Sequence, residues 1–448
     1  MTEITIRDMA SACGGVWTGS EDLLDRRPAN VVTDSRKAGQ DSLFIAIRGE
    51  RTDGHKYIPD VLRRGALAVL CEEPGGEGEP RIVVPDVLAA MREIAAFSRQ
   101  RFSYPFIGVT GSVGKTTAKE MIAAALSGRY NTFKTPGSMN GQIGLPVTLM
   151  ELRSDYEVAV IEMGVSMFGE MTRITNVVRP DYAVFTNIGD AHLEFLHDRE
   201  GVLRAKSEIV TGMRESAAIF ANGDDALLKN ARFGRKKVLF GLGEHCDIRA
   251  ENVENLGGAA LRCRILSGDR AFSVEVPAYG NYMIYAVLAA AAVAIELGLT
   301  DEEIARGMAL YKTVGHRSRV VTTAFCTLID DCYNANPTSN AAAIDSMAAL
   351  TGRKVCILGD MREMGDSSPE LHRYIGRYAV QHGAELVITS GDCARFIAEG
   401  AGEKGVDFPD KTALIAALPG LLRPGDAVLV KASRGAQFEE VAEAIENM

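Results

Sequence analysis

The run Gly108-Val-Thr-Gly-Ser-Val-Gly-Lys-Thr-Thr117 has the residue types needed to hold a polyphosphate. Glycines let a backbone fold close to phosphate oxygens. A helix beginning directly after them points unpaired N–H groups and its positive dipole end at the same spot. Phe106–Thr110 reads as the strand before the loop, and the stretch from Lys115 as the helix after it. Gly111, Ser112, Val113 and Gly114 then line the phosphates, with Lys115 reaching the β- and γ-phosphates. Thr116, followed by Thr117, would place its hydroxyl on Mg²⁺. Val109 stands where the first glycine of G-x-x-x-x-G-K-[ST] belongs, so the pattern implies a nucleoside triphosphate without naming a reaction.

Other reactive side chains fall at or near the ends of apolar runs. Glu162 ends Val158-Ala-Val-Ile-Glu162, His192 follows Val184-Phe-Thr-Asn-Ile-Gly-Asp-Ala191, and Lys206 lies on a helix that begins near Arg199. In an open parallel sheet ligands collect at the carboxyl ends of strands, so Glu162 and His192 are expected to face one crevice. A hard cation there would take the carboxylate readily and the imidazole less often. His197 is as good a candidate on paper as His192, and Lys206 alone reads as a solvated helix residue. Leu328-Ile-Asp-Asp-Cys-Tyr-Asn-Ala-Asn-Pro-Thr-Ser339 offers acidic and amide groups after a strand. It is either a binding segment or an Asx-rich turn capping the next helix. Gly359-Asp-Met-Arg-Glu-Met-Gly365 leaves the same two choices open.

The elements that must position these residues form three blocks within 448 residues, too many for one hydrophobic core. Residues 1–104 carry short apolar runs broken by Gly- and Pro-rich turns, as in a small α/β domain. Residues 105–312 alternate apolar strands with helices around a parallel sheet, and Asp247–Val276 alternates like antiparallel strands that would form a side layer. Residues 313–448 repeat the α/β alternation as a smaller doubly wound, Rossmann-like unit. The fold class is therefore α/β in three domains.

A formal net charge of −10 argues against nucleic acid as a partner. The most apolar segment, Tyr282–Ile295, is shorter than the roughly 20 residues of a membrane span and reads as a buried helix. No signal-peptide pattern follows Met1, and eight scattered cysteines without a C-x-x-C pair suggest reduced thiols. Cytoplasmic location is expected, and a structural zinc site is not.

The combination resembles the Mur ligase family, ATP-dependent enzymes that extend the peptidoglycan precursor peptide, over nearly the whole chain. The loop matches that family's G-x-T-G-x-x-G-K-T-T, which accounts for Val109. Glu162-Met-Gly164, Asn187-Ile-Gly-Asp-Ala-His192 and Arg204-Ala-Lys-Ser-Glu-Ile209 resemble the family's Mg²⁺ constellation, in which the lysine, here Lys206, is carbamylated. Catalytic roles for Lys115, Glu162, His192 and Lys206 are what the resemblance implies, with Thr116, Glu162, His192 and carbamylated Lys206 around the metal. Thr33-Asp-Ser-Arg36 resembles the uridine-diphosphate-binding domain, which makes Asp34, Ser35 and Arg36 candidates for that substrate. Tyr333-Asn-Ala-Asn-Pro337, Leu358-Gly-Asp-Met-Arg-Glu-Met-Gly365 and Val430-Lys-Ala-Ser-Arg434 resemble the last-acting member, which joins D-alanyl-D-alanine to UDP-N-acetylmuramoyl-tripeptide. The Asp-Asn-Pro-Arg signature of the member adding the third residue is absent, and Asp34-Ser-Arg36 speaks against a folate-extending ligase. The remaining alternative is a P-loop nucleotide switch without ligase activity. The resemblance further implies that Arg317 and Asp331 meet ATP, and that Asn140, Asn334, Asn336 and Asp360 meet the other substrates. A monomer is expected. Gly280-Asn-Tyr-Met-Ile-Tyr-Ala286 departs from the usual G-x-H-[NM]-x-x-N, with Tyr282 and Ala286 where histidine and asparagine help to hold adenine.

Overall fold

Continuous apolar runs of four or five residues can be buried on both faces only in a sheet flanked by helices, and three such sheets organise the chain. The computed structural model describes residues 2–49, 52–256 and 260–448. In the first sheet, Val31–Val32, Leu43–Ile45, Ala68–Cys71 and Arg81–Val83 run parallel, and Val16–Trp17 closes the edge antiparallel to Arg81–Val83. The helix Val87–Gln100 leads from this sheet into the next unit.

The central sheet has nine strands among the described residues, with Phe106–Thr110 third from one edge, between Val158–Glu162 and Tyr182–Phe185. All three strands are fully or nearly fully buried. Ala218–Asn222 and Lys236–Gly241 extend the sheet in parallel on one side, and Thr132–Lys134 on the other. The alternating segment forms Ile248–Leu256, Ala260–Ser267 and Arg270–Val276, antiparallel to one another. It is not a side layer. Ile248–Leu256 pairs in parallel with Lys236–Gly241, so the three strands continue the same sheet. The reason is hydrogen bonding: pairing satisfies an edge that would otherwise present open N–H and C=O groups.

The third sheet contains Thr327–Asp331, Ala427–Lys431, Lys354–Leu358, Leu386–Ser390 and Gly405–Phe408 in parallel, with Arg319–Thr322 antiparallel at one edge. Short edge strands such as Thr132–Lys134 and Gly405–Phe408 carry little apolar signal, which is why periodicity alone does not reveal them.

Residues from Ile4 to Phe102 and from Phe106 to Phe233 share one hydrophobic core, whereas residues beyond Cys326 pack in two separate cores, one of which takes in Tyr279 of the central unit. The first two units are thus joined by a common interior, and the third is joined to them less extensively. The helix Met283–Glu296 is apolar on almost every face and is buried accordingly. It packs on the helix Lys115–Leu126 that follows the glycine loop. The helix Asp301–Met308 packs on Lys115–Leu126 as well, through Gly307, where a Cβ would lie 2.4 Å from the Ala124 carbonyl oxygen. Gly307→Ala is expected to lower stability by about 1–3 kcal/mol, read as a fall in the urea midpoint at unchanged slope; an unchanged midpoint would refute this close packing.

Candidate active site

The glycine loop owes its shape to the segment after the neighbouring strand. Ser112 N–H donates to the Asn187 carbonyl at 3.0 Å, Val113 N–H donates to Asn187 Oδ1 at 2.9 Å, and Thr186 Oγ1 donates to the Val113 carbonyl at 2.6 Å. Gly111 has φ +147° and a Cβ there would sit 2.0 Å from Thr186 Oγ1, so only glycine fits. Gly114, at φ +79°, turns the chain into the helix Lys115–Leu126. That leaves the first amides of a twelve-residue helix pointing at one place. Lys115 Nζ folds back onto the carbonyls of Gly111 and Ser112, at 2.9 and 3.3 Å. Burial lowers its pKa, and Glu162 opposes the shift.

Glu162 is 1% exposed at the end of its strand. Its carboxylate accepts from Thr116 Oγ1 at 2.8 Å and from Asn140 Nδ2 at 2.6 Å, and its N–H donates to Thr135 Oγ1 at 3.0 Å. Lys119 Nζ lies 3.8 Å from the same carboxylate. That buried ammonium also donates to the carbonyls of Thr135 and Gly137 and pairs with Glu120 at 3.0 Å. Lys119 was not among the sequence candidates. A lysine one helical turn after Lys115 faces the same side of the helix, which is the signal that could have found it.

Lys206, on the helix Arg199–Ser207, is not a solvated residue. Its amine is fully buried and has no hydrogen-bond partner among the described residues. Burial first, and Lys115 second, push its pKa well below the usual lysine value, which favours the neutral amine.

A cavity of about 670 Å³ opens over the loop. It is lined by Ser112 to Thr117, Asn140, Glu162, His192, Tyr282 and Ala286 from the central unit, and by Arg317, Asp331, Tyr333, Asn334, Asn336 and Lys431 from the third unit. Such a volume suits a small organic ligand. The two histidines are separated: His192 lines this cavity, while His197 lines a second hollow beside Asp198 and Arg199. His192 Nδ1 meets Glu363 Oε2 of the third unit at 2.5 Å, and that contact lowers the Glu363 pKa.

One further bond joins the two walls, and others order the wall from the third unit. Arg317 donates to Ser138 Oγ at 3.0 Å with its guanidinium 3.7 Å from the Tyr333 ring centroid. Asp331 accepts from Lys431 Nζ at 2.5 Å and from Ser318 N–H at 3.0 Å. Lys431 Nζ also donates to the Asn334 carbonyl at 2.8 Å. Asn336 caps the helix Pro337–Met347 by accepting from Ser339 N–H at 2.8 Å, so the Asx-turn reading and cavity lining hold together.

Six candidates do not line this cavity: Gly111 and the buried Lys206, which lie behind its wall, and Asp34, Ser35, Arg36 and Asp360. Asp360 accepts from the N–H groups of Asp392, Cys393 and Ala394 at 3.1, 2.9 and 2.7 Å. Its carboxylate orders a turn before the helix Arg395–Ala401 and does not line the cavity. Asp34, Ser35 and Arg36 lie in the first unit, with Asp34 paired to Arg36 at 2.8 Å and the Arg36 side chain largely exposed.

The middle-domain model of the Mur ligases matches residues 109–294, the model of their glutamate ligase domain residues 316–434, and the Mur ligase family catalytic-domain model residues 28–99. The UDP-N-acetylmuramoyl-tripeptide--D-alanyl-D-alanine ligase of Bacillus subtilis (strain 168) is 36% identical over 422 residues, 92% of each chain. The Escherichia coli (strain K12) protein of that name is 35% identical over 454 residues, covering 100% of this chain and 99% of the other. MurF from Acinetobacter baumannii superposes with a TM-score of 0.89 at 30% identity over 99% of both chains. MurF ligase from Thermotoga maritima in complex with ADP does so at 0.83 and 30%, over 93% of this chain and 97% of that one.

Lys119→Met leaves buried Glu162 without its lysine and Glu120 with only the half-exposed Lys134, and is expected to cost about 3 kcal/mol of stability. Denaturant unfolding measures this, and a loss under about 1 kcal/mol would show that the Lys119 pairs contribute little. On its domain models and on relatives over 30% identical along nearly its whole length, this chain belongs to the Mur ligase family.

Proposed function

We propose that this chain is an ATP-dependent, ADP-forming ligase that adds D-alanyl-D-alanine to UDP-N-acetylmuramoyl-tripeptide in peptidoglycan precursor synthesis. The observation that carries the reading is one cavity with a phosphate loop and buried Glu162 on one wall and Arg317, Asp331 and Lys431 on the other. The relatives bearing that activity in their names are 31–36% identical, whereas folylpolyglutamate synthase and the diaminopimelate-adding ligase share the fold at 16–18% identity.

The reaction has two parts. A tripeptide carboxylate attacks the γ-phosphorus of ATP, forming an acyl phosphate and expelling ADP. The free amine of D-alanyl-D-alanine then attacks the activated carbonyl, forming the amide and releasing phosphate and a proton. The first part brings two anions together, so preorganised positive charge must offset their repulsion. Lys115 would exchange the Gly111 and Ser112 carbonyls for the β- and γ-phosphates, beside the loop amides. Arg317 and Asp331 would contact the nucleotide from the third unit, with Asn334 and Asn336 beside the dipeptide. Asn140 would hold Glu162 in place and face the acceptor. Asp34, Ser35 and Arg36 would bind the uridine diphosphate end. An acyl phosphate hydrolyses in water, and walls joined by the Arg317–Ser138 and His192–Glu363 contacts exclude it.

The donor set suits a hard cation. The Thr116 hydroxyl and Glu162 carboxylate lie 2.8 Å apart and offer oxygens, with His192 on the rim of the same cavity. Mg²⁺ held by Thr116, Glu162, His192 and a carbamate on Lys206 would neutralise phosphate charge. A carbamate is a chemically sound reading of Lys206, since only a neutral amine attacks carbon dioxide and this one is buried without a partner. We read the domains as dividing near residues 104 and 312, and the enzyme as a cytoplasmic monomer.

Phosphate release from ATP should require both UDP-N-acetylmuramoyl-tripeptide and D-alanyl-D-alanine. Turnover with either one omitted would sink this reading. Lys206→Ala should abolish ligation, with partial recovery in millimolar small carboxylic acids; full activity in the variant would exclude a carbamate.

A further inference from the structure

Asp224, His245 and Cys246 bring one ligating atom each to within 4.8 Å of one another, away from the phosphate loop. Asp224 follows the strand Ala218–Asn222, and His245 and Cys246 lie between Lys236–Gly241 and Ile248–Leu256. Three glycines leave the space in which these atoms meet. A Cβ on Gly223 would lie 2.6 Å from Cys246 Sγ, and one on Gly241 2.8 Å from Asp224 Oδ2 and 2.9 Å from Cys246 Sγ. A Cβ on Gly243 would lie 2.7 Å from His245 Nδ1 and 3.0 Å from Asp224 Oδ1. None of the three has a positive φ, so the backbone alone does not ask for glycine there. What a side chain would displace is the ligating group itself.

The protonation pattern fits as well. His245 Nε2 lies 2.9 Å from the Gly223 carbonyl oxygen, which can only accept, so the ring proton sits on Nε2 and Nδ1, on the Gly243 and Asp224 side, keeps its lone pair. The Asp224 carboxylate is oriented by the N–H groups of Leu242 and Gly243 at 2.6 and 3.0 Å and keeps lone pairs to spare. Cys246 is buried, and burial followed by Asp224 and Asp247 raises its pKa. The thiol form is thereby favoured in the absence of a cation. The other cluster of such residues, Asp53, His55 and Glu73, fails the same inspection. His55 Nδ1 bonds Asp53, His55 Nε2 accepts from Glu72 N–H, and Arg48 already neutralises Asp53, Glu72 and Glu73.

We propose that Asp224, His245 and Cys246 form a binding site for a divalent thiophilic cation of the zinc class. One thiolate, one imidazole and one carboxylate suit zinc, whereas magnesium and calcium avoid sulfur. Ligands around zinc at 2.0–2.3 Å stand roughly 3–4 Å apart, so shifts of about 1 Å complete the shell. Asp224 and His245 are exposed, which leaves the fourth position to water. The site differs from the structural zinc of paired cysteines that the cysteine spacing disfavours. Asp224 also lines the large cavity, so the site adjoins its rim. On binding, Cys246 Sγ gives its proton to solvent as the sulfur–metal bond forms, so affinity falls as pH falls.

The test is Co²⁺ titration of the full-length protein followed by displacement with Zn²⁺ against a chromogenic chelator. A thiolate-to-cobalt charge-transfer band saturating at one equivalent is expected. Cys246→Ser should abolish the band, and His245→Gln, a change at an exposed position, should weaken Zn²⁺ binding at least about tenfold. Absence of the band in the wild type, or unchanged Zn²⁺ affinity in His245→Gln, would overturn the proposal. A band that survives in folded Cys246→Ser would assign it to another cysteine and overturn it too.

Discussion

The carboxylate of Glu162 ties together the segments that shape the phosphate end of the cavity. It accepts from Thr116 on the helix after the glycine loop and from Asn140 on the loop after Thr132–Lys134, and its own strand is held through Thr135. A carboxylate 1% exposed is costly unless cations and donors surround it. Lys119 meets that need while bonding the Thr135 and Gly137 carbonyls, so one ammonium serves both the charge and the loop geometry. Removing any of these partners would leave another polar group buried and unpaired, which makes the arrangement rigid.

Around that rigid end the molecule divides unequally. The first two units share a core, with Arg99 donating to the Val178 carbonyl and stacking on Phe106 across their junction. The third unit has separate cores, one of which takes in Tyr279 of the central unit, and further contacts at the cavity are polar: Arg317 with Ser138, His192 with Glu363, and Glu194 N–H with the Glu363 carbonyl. Polar contacts exchange for water at little net cost, whereas a shared apolar core does not. The phosphate loop thus stands on the platform of the first two units and is faced by the third.

Several site residues were legible because their chemistry is local. Gly111, Gly114, Lys115 and Thr116 announce a phosphate loop by type and spacing, and Glu162 by its place at a strand end. Asn336 is legible as a helix cap with Ser339 three residues on. Asp360 misleads for the same reason: an aspartate in a glycine-rich loop after a strand looks like a ligand, while its partners are backbone amides more than thirty residues later. No pattern within its own segment distinguishes the two.

The sequence by itself determined the three-block α/β plan, the loop chemistry and the likeness to the Mur ligases, since each rests on runs of neighbouring residues. Tertiary structure alone decided which of two histidines faces the cavity and that Lys206 is a buried, unpaired amine. It also decided that the antiparallel strands extend the central sheet and that Asp224, His245 and Cys246 converge. Burial and convergence are properties of atoms brought together from distant segments, and a side chain's protonation and partners follow from that company.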